Sequence, residues 1–171
     1  MATKLEDKID PAELYEADFY AWSKHQAETL RRFQTTRPNL PLDFEHLIEE
    51  VEDLGDNRLR AARSQLVRLV QHLLKLEHSP ANRPRRLWLN SVDNARRELL
   101  DAMTATIRNV VESQLPELYD DARVAAGREL MDHDEAAAAT ALPKSCPYTL
   151  DQLLTKHWYP TNRHGLVDEL L

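Results

Sequence analysis

Residues 43–78 form the stretch that most constrains the fold, because it contains no proline and a single glycine. Its apolar residues recur at steps of three and four, which places them on one face of a helix. Such a face must be buried against other helices, so the stretch predicts the central helix of an all-α domain. The predicted stripe consists of Leu47, Val51, Leu54, Ala62, Leu66, Leu69, Leu73 and Leu76.

The ends of this helix and its one weak point are also predicted from local chemistry. Asp43 follows a Pro41–Leu42 turn and is a suitable N-cap, since its carboxylate can accept from the free amides of the first turn. Pro80 closes the other end. Gly55 costs about 1 kcal/mol relative to alanine within a helix, so we expect either a kink or close packing against another helix there.

Three further main helices follow from the same spacing rules. The first spans residues 18–35, with Phe19, Trp22 and Leu30 on its apolar face. A third begins near residue 84 and ends either at the Thr104–Thr106 pair or at Pro116, two alternatives that the pattern leaves open. A fourth, with a face of small residues, ends near residue 131.

A short C-terminal helix, TLDQLL, is predicted to begin after a threonine cap at Thr149. Short connections between the main helices favour antiparallel neighbours. The sequence therefore predicts an all-α, up-and-down helical bundle of four main helices plus the short C-terminal helix. We expect a single domain over residues 11–160, with polar tails at 1–10 and 161–171, the latter either docked or disordered.

Composition restricts the classes of function. A net charge of −7 argues against general nucleic-acid binding, which depends on neutralising phosphates. The single cysteine, Cys146, excludes an internal disulfide and fits a reducing compartment. No apolar run approaches the ~20 residues that span a membrane, and the N-terminus lacks the apolar core of a signal peptide. We expect a cytoplasmic protein without membrane or nucleic-acid partners.

Several motifs in order resemble one bacterial family, which is catalogued as domain of unknown function 29. The resemblance covers roughly residues 15–160, and the LIEEVE and HLLK motifs are specific when taken together. It implies a predominantly helical fold and supplies no activity, substrate or cofactor. The motifs are EADFYAWSKHQAETLR, DFEHLIEEVEDLG, VQHLLKLEHSP, LPELYDDAR and CPYTLDQLL.

The most suggestive polar constellation is a stripe on the central helix, where His46, Glu50 and Asp53 share one side. Carboxylate-bridged metal sites in bundles are built from such stripes with a ligand from a neighbouring helix. His46, Glu50 and His72 are the candidates if a metal is present, although no metal or other cofactor is expected. The alternative is that Glu50 and Asp53 pair with arginines of neighbouring helices. His72, at the edge of the apolar stripe, also suits a structural role.

The only basic cluster contains Arg83, Arg85 and Arg86. It could bind an acidic partner or a phosphate, or it could answer the acidic first half of the central helix. Cys146 lacks the basic neighbours of a nucleophilic thiol and is expected to be buried or half-buried.

Catalytic signatures such as a phosphate loop or a nucleophile elbow are absent from the sequence. We therefore predict a non-enzymatic protein-interaction module, with a protein partner or self-association. Ile48, Val67, Val70 and Leu74 support this because they widen the apolar stripe. Binding candidates are Glu50, Asp53, His72, Arg85 and Arg86. The alternative is a metal-dependent enzyme with a carboxylate and histidine site near Glu50 and His72.

Overall fold

A computed structural model describes residues 10–167, and within that range the chain is entirely helical. The predicted all-α class is confirmed, but the described residues form eight helices instead of four main helices and one short one. Of the predicted tails, residues 1–9 and 168–171 lie outside the described range. The helices are α1 (Pro11–Ala17), α2 (Phe19–Thr36), α3 (Phe44–His78), α4 (Arg85–Ala102), α5 (Ala105–Ser113), α6 (Leu115–Asp132), α7 (Ala136–Thr140) and α8 (Leu150–Leu154).

The chain divides into two compact units, and the central helix α3 contributes to both. The first unit contains the described residues up to Arg60 together with Thr104–Arg108. The second contains Ala61–Met103 and the described residues from Asn109 onward. The single domain expected over residues 11–160 stays a prediction.

In the first unit, Asp18 connects the start of α2 to the start of α5. Its carboxylate caps α2 by accepting from the amide of Ala21 at 3.0 Å. The same carboxylate accepts from the Thr104 hydroxyl at 2.9 Å and from the Thr106 amide at 2.8 Å. These bonds satisfy amide groups that helix starts leave open, and they explain why the third predicted helix ends near Thr104 and not at Pro116.

Gly55 lies where α3 passes very close to α2. A β-carbon placed on Gly55 would come within 2.0 Å of the Ser23 hydroxyl oxygen and 3.0 Å of its β-carbon. Helix α3 runs without interruption from Phe44 to His78. Of the two predicted alternatives, close helix packing is therefore the one that the structure adopts.

The buried face in the first half of α3 differs from the predicted stripe. Leu47 and Leu54 are 39% and 51% exposed, whereas Phe44 and Ile48 are buried with Ala27 of α2. Both pairs of residues have helical spacing. Only the face of Phe44 and Ile48 also contains Gly55, whose lack of a side chain lets α3 approach α2 closely. The prediction of Leu47 and Leu54 as core residues is wrong, because the close approach at Gly55 selects the adjacent face.

From Ala62 onward the predicted stripe is buried as expected. Of the residues that were taken to widen it, Ile48, Val70 and Leu74 are also buried within the chain. They are packed against other parts of the protein and so provide no apolar surface for a partner. The remaining core of the second unit includes Trp88, Val92, Ala95 and Leu99 of α4, and Leu118, Tyr119, Ala122, Ala126 and Leu130 of α6.

Local residue preferences set two helix starts in the second unit, and of these the cap at Thr149 was predicted and is confirmed. Pro116 lies in the first turn of α6, where its missing amide is not needed. Thr149 begins α8 with a capping box, in which its hydroxyl accepts from the amide of Gln152 and the Gln152 side chain accepts from the amide of Thr149. No helix within residues 10–167 is long and apolar enough to cross a membrane.

Candidate functional site

His46 lies at the exposed start of α3 and contacts the residue that caps this helix. Its Nδ1 is 2.6 Å from Oδ2 of Asp43, while Oδ1 of Asp43 accepts from the His46 amide at 3.3 Å. The predicted N-cap role of Asp43 is confirmed. The hydrogen bond to Asp43 raises the pKa of His46, and the bond from the His46 side chain lowers the pKa of Asp43.

Glu50 and Asp53 are exposed on α3, and within residues 10–167 neither carboxylate contacts a cationic side chain. The ion pairs expected between these two acids and neighbouring arginines are therefore not formed. Other acids on the side that faces α2 take that role. The pairs are Arg31 with Glu52 at 2.6 Å and Lys24 with Asp56 at 2.7 Å.

His72 is half-buried in the second unit, and its buried Nδ1 has no hydrogen-bond partner in the part of the chain that the structure describes. Burial, reinforced by the positive charges of Lys75 and Arg68, lowers the pKa of His72 to about 4. The ring is therefore neutral at pH 7. In the described part of the chain, no group of three or more His, Cys, Asp or Glu side chains could hold a metal ion.

Arg85 and Arg86, two of the binding candidates, have different environments. Arg86 is exposed, while Arg85 is buried and donates Nη1 to the carbonyl of Leu76 at 2.9 Å. Helix ends leave their last carbonyls without intrahelical partners. Arg85 thus satisfies one carbonyl at the C-terminal end of α3, a structural task that the sequence analysis did not assign to it.

Residues 162–164 complete the capping of α3, so this part of the predicted tail is docked. Asn162, 4% exposed, donates its side-chain amide to the carbonyl of Leu76 at 2.7 Å and to that of Ser79 at 3.0 Å. The Arg163 amide donates to the carbonyl of Glu77 at 2.9 Å. The His164 ring nitrogen Nε2 lies 3.0 Å from the carbonyl oxygen of His78 and donates to it.

The Glu77 carboxylate holds a further polar network beside this cap. The Tyr148 hydroxyl donates to its Oε2 at 2.7 Å, and the Arg163 guanidinium donates twice to its Oε1, at 3.0 and 3.1 Å. Burial, together with the bond to Glu77, raises the pKa of Tyr148. His78, next to Glu77 in sequence, is almost completely buried, and neither of its ring nitrogens has a hydrogen-bond partner among residues 10–167. No sequence signal connects Glu77 with Tyr148 and Arg163, because they lie far from it along the chain.

A cavity in the second unit, which we call the Lys75 cavity, is lined by a buried lysine. Lys75 is 3% exposed, its ammonium pairs with Glu129, and it lies 5.1 Å from the ring centroid of Trp88. The other carboxylate oxygen of Glu129 accepts from the Gln71 side chain at 2.6 Å. The sequence did contain a signal that was missed, since Lys75 interrupts an otherwise apolar run, LLKL.

An exposed surface of α3 in the first unit, which we call the α3 face, consists of Leu47, Glu50, Leu54 and Arg58. All four are exposed, and their spacing places them on one side of the helix. The Arg58 guanidinium lies 4.1 Å from the ring centroid of Phe19, which holds it at the surface. The face combines two leucines with one acid and one base.

Comparisons with known proteins give a family and a fold but no activity. Residues 14–159 match the family model described as "Domain of unknown function DUF29". The chain is also similar to a crystal structure of an α-helical protein of unknown function from Rhodospirillum rubrum. The TM-score is 0.75 with 28% sequence identity, over 84% of this chain and 90% of that chain. Among curated proteins, none matches this chain in sequence.

Proposed function

The chain belongs to the family described as domain of unknown function DUF29, and we propose that it is a protein-interaction module that self-associates through the α3 face. One observation carries this proposal. Leu47 and Leu54, seven residues apart on one helix, are 39% and 51% exposed although their spacing is that of a buried stripe. Apolar side chains in this arrangement suit a helix–helix contact with a partner.

The charges on the α3 face favour a second copy of this chain as the partner. In a twofold symmetric pair of antiparallel helices, each residue contacts one at a complementary position on the other copy. With the axis at Leu54, the two Leu54 side chains meet, and Glu50 of each copy lies at the level of Arg58 of the other. The α3 face is thus complementary to its own copy, because the pairing forms two Glu50–Arg58 ion pairs and one Leu54–Leu54 contact.

The proposed contact is small, which sets the expected strength of association. Interfaces that bury less than about 1,200 Å² in total are usually weak or transient. We therefore expect a concentration-dependent equilibrium between monomer and dimer. The net charge of −7 opposes close approach of two copies, which also limits the strength of association.

Charge reversal on full-length protein tests the proposal. Glu50→Lys or Arg58→Glu alone replaces two symmetric attractions by repulsions and should raise the dimer dissociation constant about 5- to 30-fold, for pairs worth about 0.5–1 kcal/mol each. The double variant restores opposite charges at the same level and should recover the dimer. Sedimentation velocity over a concentration series measures each constant.

Glu49→Lys is the matched control for Glu50→Lys. It makes the same change in net charge at an exposed position that lies outside the α3 face. It should dimerise at least as well as the unmodified chain. A protein that stays monomeric at all accessible concentrations would refute self-association. So would a dimer that responds equally to reversal at Glu49 and at Glu50.

A further inference from the structure

The Lys75 cavity has the size and the lining of a small-molecule site. Its volume is about 480 Å³, within the range of known ligand pockets. The buried side chains of Trp88 and Leu130 form an apolar wall of the cavity. Leu87, which is 69% exposed, lies at its edge. An apolar group of a ligand would therefore pack against an aromatic ring in a cavity that is partly open to solvent.

The ammonium of Lys75 has donor capacity left for a ligand. It carries three N–H groups, and among residues 10–167 the one hydrogen-bond acceptor that it contacts is the carboxylate of Glu129. Burial of a charged donor without an acceptor is costly. An oxygen of a bound ligand would meet this requirement.

Two other charged groups line the same cavity, the half-buried Glu135 and the exposed Arg83. Oε2 of Glu135 is buried and accepts no hydrogen bond from any residue of the described range 10–167. Arg83 forms no hydrogen bond or ion pair with any residue that the structure describes. The cavity thus offers an acceptor for a cationic group and a guanidinium for a carboxylate.

We infer that the Lys75 cavity binds a free α-amino acid with an apolar side chain. The α-carboxylate is received by Arg83 and Lys75, the α-ammonium by Glu135, and the side chain packs on Trp88. A purely anionic ligand would meet Glu129 and Glu135, and a purely cationic one would meet Lys75 and Arg83. A zwitterion is compatible with both sets of charges.

Calorimetric titration of the full chain with leucine, N-acetyl-leucine and leucinamide tests this inference. Leucine should bind with a dissociation constant of about 1 mM or lower. The acetylated compound lacks the ammonium and the amide lacks the carboxylate, so each should bind at least about tenfold more weakly. If leucine shows no binding, the same titration with valine, methionine and phenylalanine completes the class, and failure of all four would overturn the inference.

Variants then assign the contacts. Glu135→Gln should weaken leucine binding about tenfold but leave N-acetyl-leucine unchanged, whereas Arg83→Gln should weaken leucine but leave leucinamide unchanged. Arg86→Gln is the matched control, because Arg86 is exposed and does not line the cavity. Equal effects of Arg83→Gln and Arg86→Gln would exclude the proposed carboxylate contact.

Discussion

Gly55→Ala should destabilise the first unit, although the same change stabilises most helices. Replacing a glycine inside a helix by alanine normally gains about 1 kcal/mol. At Gly55 the new methyl group would lie 2.0 Å from the Ser23 hydroxyl oxygen, far inside contact distance, and 3.0 Å from the Ser23 β-carbon. Overpacking of this kind costs about 1–3 kcal/mol, so the gain in helix propensity is cancelled or exceeded.

Gly127→Ala provides the internal control for this prediction. Gly127 lies within α6, and a β-carbon there would meet only the Leu142 side chain at an ordinary contact distance of 3.7 Å. This variant should therefore be more stable than the unmodified protein by about 0.5–1 kcal/mol. The free energies of unfolding of the two variants should differ by about 1–3 kcal/mol, the cost of overpacking alone.

Urea unfolding followed by far-ultraviolet circular dichroism measures both changes. Ser23→Ala removes the oxygen in closest overlap, so Gly55→Ala should cost less in that background than in the unmodified chain. Equal stabilisation by Gly55→Ala and Gly127→Ala would refute the close approach of α2 and α3. If the changes in unfolding free energy caused by Gly55→Ala and Ser23→Ala simply add in the double variant, the overpacking does not involve the Ser23 hydroxyl.

Two further predictions concern buried polar groups. Asp18→Ala should destabilise the protein by about 2–4 kcal/mol in urea unfolding, because it removes the α2 cap and leaves the Thr106 amide without its acceptor; a cost below about 0.5 kcal/mol, typical of a surface position, would contradict this. His72, with a folded-state pKa of about 4 against 6.5 unfolded, should make stability fall as pH drops from 6.5 to 4. The loss should reach about 2 kcal/mol after allowance for solvent around a half-buried ring. His72→Gln should flatten this part of the pH profile, and an unchanged slope would show that other groups cause it.

Much of α3 was predictable because a helix is specified by local features. Apolar spacing, the absence of proline and the Asp43 cap all act within a few residues. The error at Leu47 and Leu54 arose because Phe44 and Ile48 have the same helical spacing. Periodicity alone could not distinguish the face of Leu47 and Leu54 from that of Phe44 and Ile48. The close approach of α2 at Gly55 determines which of them is buried.

The polar groups of the second unit were less accessible to sequence reasoning. The partners of Glu77 are Tyr148 and Arg163, more than seventy positions further along the chain. Their residue types are common and their spacing has no period. The donation from Arg85 to a main-chain carbonyl was not predicted, because the need of this carbonyl for a donor is visible only when the end of α3 is located.

By itself, the sequence determined the helical class, the extent of α3 and the start of α8 at Thr149, whereas at Gly55 it left a kink and close packing as alternatives. These properties depend on backbone dihedral preferences and on hydrogen bonds between residues no more than four positions apart. Tertiary structure alone decided which side of α3 is buried, which acids remain without partners, and how Lys75 comes to line a cavity beside Trp88. Burial and ion pairing are properties of neighbours in space, and distant parts of the chain supply those neighbours only after folding.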